Sequence, residues 1–363
     1  MLCPLSSSIT LYPPLITRLG FAMKNQFDNL IDTGGQPRYG LFDQPVTEVN
    51  YRDFAYNNVM DQAASRLKKH FSFKQFQFIG VCSERFILGC ALVDIKYLGN
   101  AFVYLYDREQ RQLYEHRILL PLAFNTHLGT QPDHGISEAK RGSAKIRITS
   151  RSEPREKYVQ IQIGSEFSAD FTVTEPAGYQ PLALSTPTGF NGWTYTQKAA
   201  GLRASGCFQL RGQRHIFGEN SYGNYDWSCG FMRRETAWKW ASLSGTTREG
   251  DTVGANFANG VNETGFTENA FWIDGQMTKV NQIRFTHSPS HRTLDWQIKS
   301  DDGKVDLTFT PEGKRCEKLD VFILATNFTQ LFGRFHGTLC NDQGKTFTLK
   351  GTTGFCEDHY AKW

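Results

Sequence analysis

Short runs of period-two hydrophobic alternation, each closed by Gly, Asp, Asn or Pro, recur along the chain and leave little room for anything but antiparallel sheet. Phe71 and Phe73, then Phe76, Phe78 and Gly80, begin the pattern, and RFILGCALVD (85–94) and FVYLY (102–106) continue it as a β-meander. YVQIQI (158–163) puts Val159, Ile161 and Ile163 on one face, and ADFTV (169–173) follows. The alternation restarts at WTYTQK (193–198) and CFQLR (207–211) and runs on through IRFTH (283–287), LDWQI (294–298), VDLTF (305–309), LDVFIL (319–324) and GRFHGTLC (333–340). Helical spacing has one strong candidate, DQAASRLKKH (61–70), with Asp61 as N-cap and Ala64, Leu67 and Lys68 in step. With 28 Phe, 14 Tyr and 33 Gly, the chain reads as all-β, a barrel or a sandwich with few short helices.

At 363 residues the chain can hold two cores. EPAGYQPLALSTPTGFNG (175–192), with its three prolines and three glycines, divides an N-terminal domain (23–190) from a C-terminal one (191–363), and halves of similar length point to a tandem duplication. Residues 1–22 read as a non-structural extension. Pro4, Pro13 and Pro14 interrupt them and their one basic residue, Arg18, comes late, the reverse of a signal peptide, while Met23 opens a plausible start of its own.

Forty basic against 36 acidic residues give a formal charge of +4, too balanced to call for a nucleic-acid partner. The cluster Arg141, Lys145, Arg147, Arg151, Arg155 and Lys157 reads as a solvated hairpin or long loop. Eight cysteines, scattered from Cys3 to Cys356 without a CxxC pair, fit reduced thiols in a cytoplasmic protein. No window holds the roughly twenty apolar residues of a membrane span. Walker, GxGxxG, GxSxG and HExxH motifs are missing, and Pro289 breaks the His287/His291 spacing that a helical zinc pair needs. Neither a cofactor nor a metal is called for, and the oligomeric state is left open.

The densest chemistry lies in HIFGENSYGNYDWSCGFMRRETAWKW (215–240). Rings supply buried area while a carboxylate and guanidinium groups fix orientation, which suits the wall of a small-molecule pocket. Extended backbone turns Tyr225 and Trp227 to one side and Asp226 and Ser228 to the other, and sets Trp238 and Trp240 on one face, as a core ladder or a pocket floor. A buried Asp226 could act as a proton donor; paired with Arg233 or Arg234 it would be a structural carboxylate. Further on, Asn256 sits among glycines that favour turns, and alternation places Glu268, Trp272 and Asp274 on one face, toward a polar cavity or solvent, with Asn269, Phe271 and Ile273 on the other. The candidate ligand-binding residues are therefore Tyr222, Tyr225, Trp227, Arg233, Arg234, Trp238, Trp240, Asn256, Glu268, Trp272 and Asp274. The terminal GFCEDHYAKW, with two aromatics, is expected to be docked.

The phrases DWSCG (226–230), RETAWKWAS (234–242), TENAFWIDG (267–275) and GFCEDHYAKW (354–363), with FIGV (78–81) and YLGNAF (97–102), resemble the bacterial domain-of-unknown-function 2804 family over nearly everything after residue 30. More distantly, the order Gly218, Asp226-Trp227, Gly230, Trp238-x-Trp240 and Gly245 is similar to the second domain of the carotenoid hydratase and AttH-like proteins. That likeness implies two tandem lipocalin-like (calycin) antiparallel β-barrels. It also implies Asp226 as an acid that protonates an alkene, with Trp227, Trp238 and Trp240 caging the cation. The chain departs from that motif, which carries His or Glu before the first Trp. The comparison makes one structural demand: the chain must bend between 227 and 238 to bring acid and rings together.

Three functions follow. The first is a lipocalin-like protein binding a hydrophobic lipid or isoprenoid-like molecule. The second is an isoprenoid-type hydratase or cyclase using Asp226. The third is a carbohydrate-binding or carbohydrate-active sandwich with Glu268 and Asp226 or Asp274 as acid and base.

Overall fold

The computed structural model describes residues 27–261, 266–322 and 324–363; the extension expected at 1–22 lies outside them. Strands make up 63% of the chain against 3% helix, and they form two curled antiparallel sheets. The main path of the first sheet runs Gln112–Pro121, Leu98–Asp107, Phe86–Asp94, Lys74–Cys82, Tyr222–Gly230, Gly192–Leu210, Phe167–Thr174, Arg155–Ile163, Ala144–Ser152, Gly135–Arg141 and Thr126–His127. Its ends approach each other, with Gln112–Pro121 beside Gly135–Arg141. The second runs Gln276–Lys279, Ala270–Ile273, Thr252–Asn259, Glu235–Thr246, Thr346–Lys362, Leu324–Cys340, Val305–Val321, Trp296–Ser300 and Ile283–Thr286, and Thr252–Asn259 returns toward Ile283–Thr286. The architecture is two tandem antiparallel barrels. No described helix is long and apolar enough to cross a membrane.

Alternation builds these walls directly. In Arg155–Ile163 the residues Val159, Ile161 and Ile163 are buried in the first barrel, while Gln160 and Gln162 face water. The meander expected from residue 71 is present as the four hairpin-connected strands from Lys74 to Pro121, and the basic segment 126–157 forms paired strands. WTYTQK and the CFQL of CFQLR belong to one long strand, Gly192–Leu210, with a bulge between Ala200 and Leu202 and Arg211 in the turn that follows. The chain passes from the first sheet to the second between Gly230 and Glu235.

The expected helix forms later than its spacing indicates, over Arg66–Ser72, and Ser65 caps it by accepting from the Lys68 amide at 3.2 Å. Asn58 is the reason. Its Oδ1 accepts from the amides of Met60 and Gln62, folding 58–62 into a turn in which Asp61 has φ +58° and cannot start a helix.

Each barrel has its own core, and the N-terminal segment adds a third cluster by laying Phe42, Val46, Phe54 and Phe73 against Trp193, Tyr195 and Trp227. A fourth cluster lies between the sheets and joins Phe78 and Tyr104 of the first to Trp240, Phe332 and Phe355 of the second. Close backbone approach makes this seam possible. Gly201, at φ +75°, and Gly254 pass so near each other that a Cβ on either would meet the other strand's backbone. Ser244 bridges the same point, accepting from the Gly201 amide and donating to the Gly223 carbonyl. The interdomain cluster also explains why Lys74–Cys82 and Tyr222–Gly230 are buried on both faces.

Candidate functional site

A cavity of about 290 Å³ opens along this seam, walled by both sheets. Alternation in Glu235–Thr246 delivers Trp238 and Trp240 to it from one face. Trp240 is buried edge-to-face on Phe78 and stacked with Phe355, its indole N–H donating to Asn256 Oδ1 at 2.8 Å. Trp238 is half-buried, 4.2 Å from the His359 ring, and donates to Glu357 Oε1 at 3.0 Å. Phe76, Phe102 and Phe328 extend the apolar wall.

Against these rings stands a buried ionic group. The Lys198 ammonium, on the first sheet, contacts Asp226 Oδ2 and lies 3.0 Å from Glu268 Oε2. Ser228 donates to Asp226 Oδ1 at 2.7 Å and is itself hydrogen-bonded to Thr196. Burial disfavours the Lys198 charge, yet the two carboxylates outweigh that cost and hold its pKa above the ordinary lysine value. Both Asp226 oxygens thus accept hydrogen bonds, one from Lys198 and one from Ser228. The partner is Lys198, not the Arg233 or Arg234 considered from sequence.

Three further polar side chains line the cavity. Glu357 accepts from Trp238 and from Gln330 Nε2 at 3.2 Å, while His359 shares a hydrogen bond with Thr326. Lys74 donates to the carbonyls of Phe71 and Ile95; burial pushes its pKa down to about 8 despite the pull of Asp94.

Of the residues singled out from sequence, Asp226, Arg233, Trp238, Trp240 and Glu268 line this cavity. The required bend is present, because residues 231–234 carry the chain from one sheet to the other. Trp227 instead packs under the N-terminal segment. Tyr225 belongs to the first barrel's core, its hydroxyl donating to Glu175 at 2.7 Å, and Tyr222 lies beneath Arg203. Trp272 was set toward a polar cavity or solvent by alternation; it is buried in the first barrel's core, stacked on Tyr179 and donating to the Gln180 carbonyl. Asn256 acts one layer back, holding Trp240 and donating to the Glu268 carbonyl. Asp274 does not share a strand face with Glu268, because it sits in a turn at φ +48° and accepts from the Thr252 amide. Arg234 is exposed and outside the cavity, its carbonyl accepting from the Trp363 amide. The chain end is docked as expected: Thr346–Lys362 is an inner strand, and the Trp363 indole donates to the Arg233 carbonyl.

Sequence reasoning missed Lys198, Glu357, His359 and Arg315. A signal existed for the first, since Lys198 is the one cation in the otherwise uncharged run from Trp193 to Leu202.

CghA, in a crystal structure with Sch210972, superposes with a TM-score of 0.50 at 10% identity over 89% of this chain and 97% of its own. An AttH-like protein from Nitrosomonas europaea gives 0.45 at 13% identity (79% and 92% covered), and kievitone hydratase from Nectria haematococca 0.45 at 11% (80% and 88%). At such identities the CghA likeness speaks for fold alone, that of lipocalin-like barrels. A sequence comparison finds no match among curated proteins. The family described as Domain of unknown function (DUF2804) matches residues 22–363.

Proposed function

Because the chain belongs to the DUF2804 family, whose description names no activity, we propose its function from the cavity: it binds a small, mainly apolar molecule, lipid-like or isoprenoid-like, between its barrels. One observation carries this reading, the convergence of Trp238 and Trp240 with the Lys198, Asp226 and Glu268 group on one aromatic-walled cavity. Rings provide apolar contact area, and a small number of fixed polar groups orient what enters. The sugar reading needs exposed tryptophans and two carboxylates free to act across a groove; Trp240 is buried, and Asp226 and Glu268 are both held by Lys198. Unpaired buried thiols at Cys82, Cys90, Cys229 and Cys356 support a reducing, cytoplasmic setting.

The test is native mass spectrometry of the full chain purified from its own host, followed by solvent extraction. The expected result is a reproducible apolar adduct that is reduced in a Trp238→Ala variant. A chain that carries no adduct and does not enhance the fluorescence of an apolar probe overturns the reading.

A further inference from the structure

We infer that Arg315 anchors the anionic end of the ligand, so that the molecule this cavity takes is an apolar monocarboxylate. The inference rests on the binding function proposed above and narrows it to a chemical class.

Arg315 lies on Val305–Val321 and lines the cavity with only 3% of its side chain exposed. Three rings surround the guanidinium, with its carbon 4.2 Å from the Phe102 centroid, 5.0 Å from Phe328 and 5.6 Å from Tyr104. Among the described residues it pairs with one carboxylate, Glu115, a third exposed, whose Oε2 is 3.0 Å from Nε. That contact lacks hydrogen-bond alignment, because Nε is buried without a hydrogen-bond partner.

The other ions of the wall are differently placed. Arg117 pairs with Glu317 and donates to Asn100 Oδ1; Lys198 has two carboxylates; Lys74 has two carbonyls; Glu357 has Trp238 and Gln330. Arg315 is thus a buried cation of the cavity whose Nε–H has no aligned acceptor among the described residues. Burying the Nε–H without an aligned acceptor is costly, and a carboxylate matches the planar guanidinium fork in a bidentate pair while the rings cover its apolar stem. Charge limits the choice to a monoanion. Glu115 already offsets part of the guanidinium charge, and Glu317, Glu357, Asp226 and Glu268 on the same cavity would repel a dianion such as a phosphate monoester.

cis-Parinaric acid and its methyl ester, titrated into the full chain and read by fluorescence, test this. The acid is expected to bind at least tenfold tighter than the ester, as a charge-assisted hydrogen bond gives. Arg315→Met should bring the two affinities together. Glu115→Gln, which removes the competing carboxylate and keeps Arg315, should tighten the acid severalfold and not the ester, and it serves if the Met variant does not fold. Equal affinities in the unaltered chain, or a preference that survives Arg315→Met, overturn the assignment of Arg315 while leaving the binding function standing. Failure of both probes to bind overturns both.

Discussion

The Lys198 ammonium and the Glu268 carboxylate, 3.0 Å apart, come from different barrels, one from the long strand of the first sheet and the other from the segment leading into Ala270–Ile273 of the second. With Asp226 as the ammonium's other partner, the contact ties the barrels at the wall of their shared cavity. Lys198→Met should therefore take this buried ammonium away from both carboxylates and cost about 3 kcal/mol. Urea unfolding checks this through the midpoint at unchanged slope. Adding Asp226→Asn and Glu268→Gln should recover a large part of the loss, since the penalty lies in the charges the ammonium compensated; a triple variant no more stable than Lys198→Met would contradict that account.

The two tryptophans should separate stability from binding. Trp240 is buried among Phe78 and Phe355 and hydrogen-bonded to Asn256, so Trp240→Ala should cost about 3–5 kcal/mol. Trp238 is half-buried, with the His359 and Trp363 rings beside it, so Trp238→Ala should cost about 1 kcal/mol while lowering apolar-probe affinity about tenfold. Paired thermal melts and probe titrations would decide it. Equal binding losses per unit of stability lost would mean that both rings are merely core.

How far the site was legible follows from what alternation can and cannot carry. It set Asp226 and Ser228 opposite Tyr225 and Trp227, and Trp238 beside Trp240, and the structure keeps each of these faces. What a face meets depends on which strands become neighbours, a long-range property. Trp272 has a second barrel on its far side where solvent was the simplest expectation, so a strand with both faces buried looked like one with a wet face. Lys198 pairs with Asp226 because Gly192–Leu210 lies beside Tyr222–Gly230, directly across at that register. Arg315 escaped notice because hydrophobic alternation fades after Phe309, although the strand continues to Val321. Faces within one strand could be read; partners on a neighbouring strand or across the seam could not.

Glu175 predicts a pH dependence away from the cavity. It is buried in the first barrel, and burial pushes its carboxyl up to about 7; Arg155, the Tyr225 hydroxyl and Lys157 pull the other way and Asp133 adds to the rise. A carboxyl with a raised folded-state pKa binds more protons folded than unfolded between about 4.5 and 7. Its contribution to stability must then fall across that window as pH rises, by about 3 kcal/mol, and level off above it. Glu175→Gln removes the titration, so the difference in stability between variant and unaltered chain should shift in the variant's favour from pH 4.5 to 7 and then stay constant. Parallel urea curves over the whole window would refute the raised pKa.

The seam between the barrels is set by backbone contact, and a single methyl group should expose that. A Cβ on Gly254 would collide with the Ala200 carbonyl and the Gly201 nitrogen, atoms that cannot rotate away as a side chain could. Relief requires the strands to part, which strains the Gly201 amide's bond to Ser244 and opens the Phe78–Trp240–Phe355 cluster beside it. Gly254→Ala should accordingly cost about 3 kcal/mol, at the upper end for overpacking. Gly218 makes the control, because a Cβ there meets nothing within 4 Å and its φ is not in the left-handed region. Gly218→Ala should be neutral or stabilise by about 0.5 kcal/mol through a less flexible unfolded chain. If the two alanine variants melted together, close approach at Gly254 would not be what positions the second barrel against the first, and the cavity between them would need another explanation for its shape.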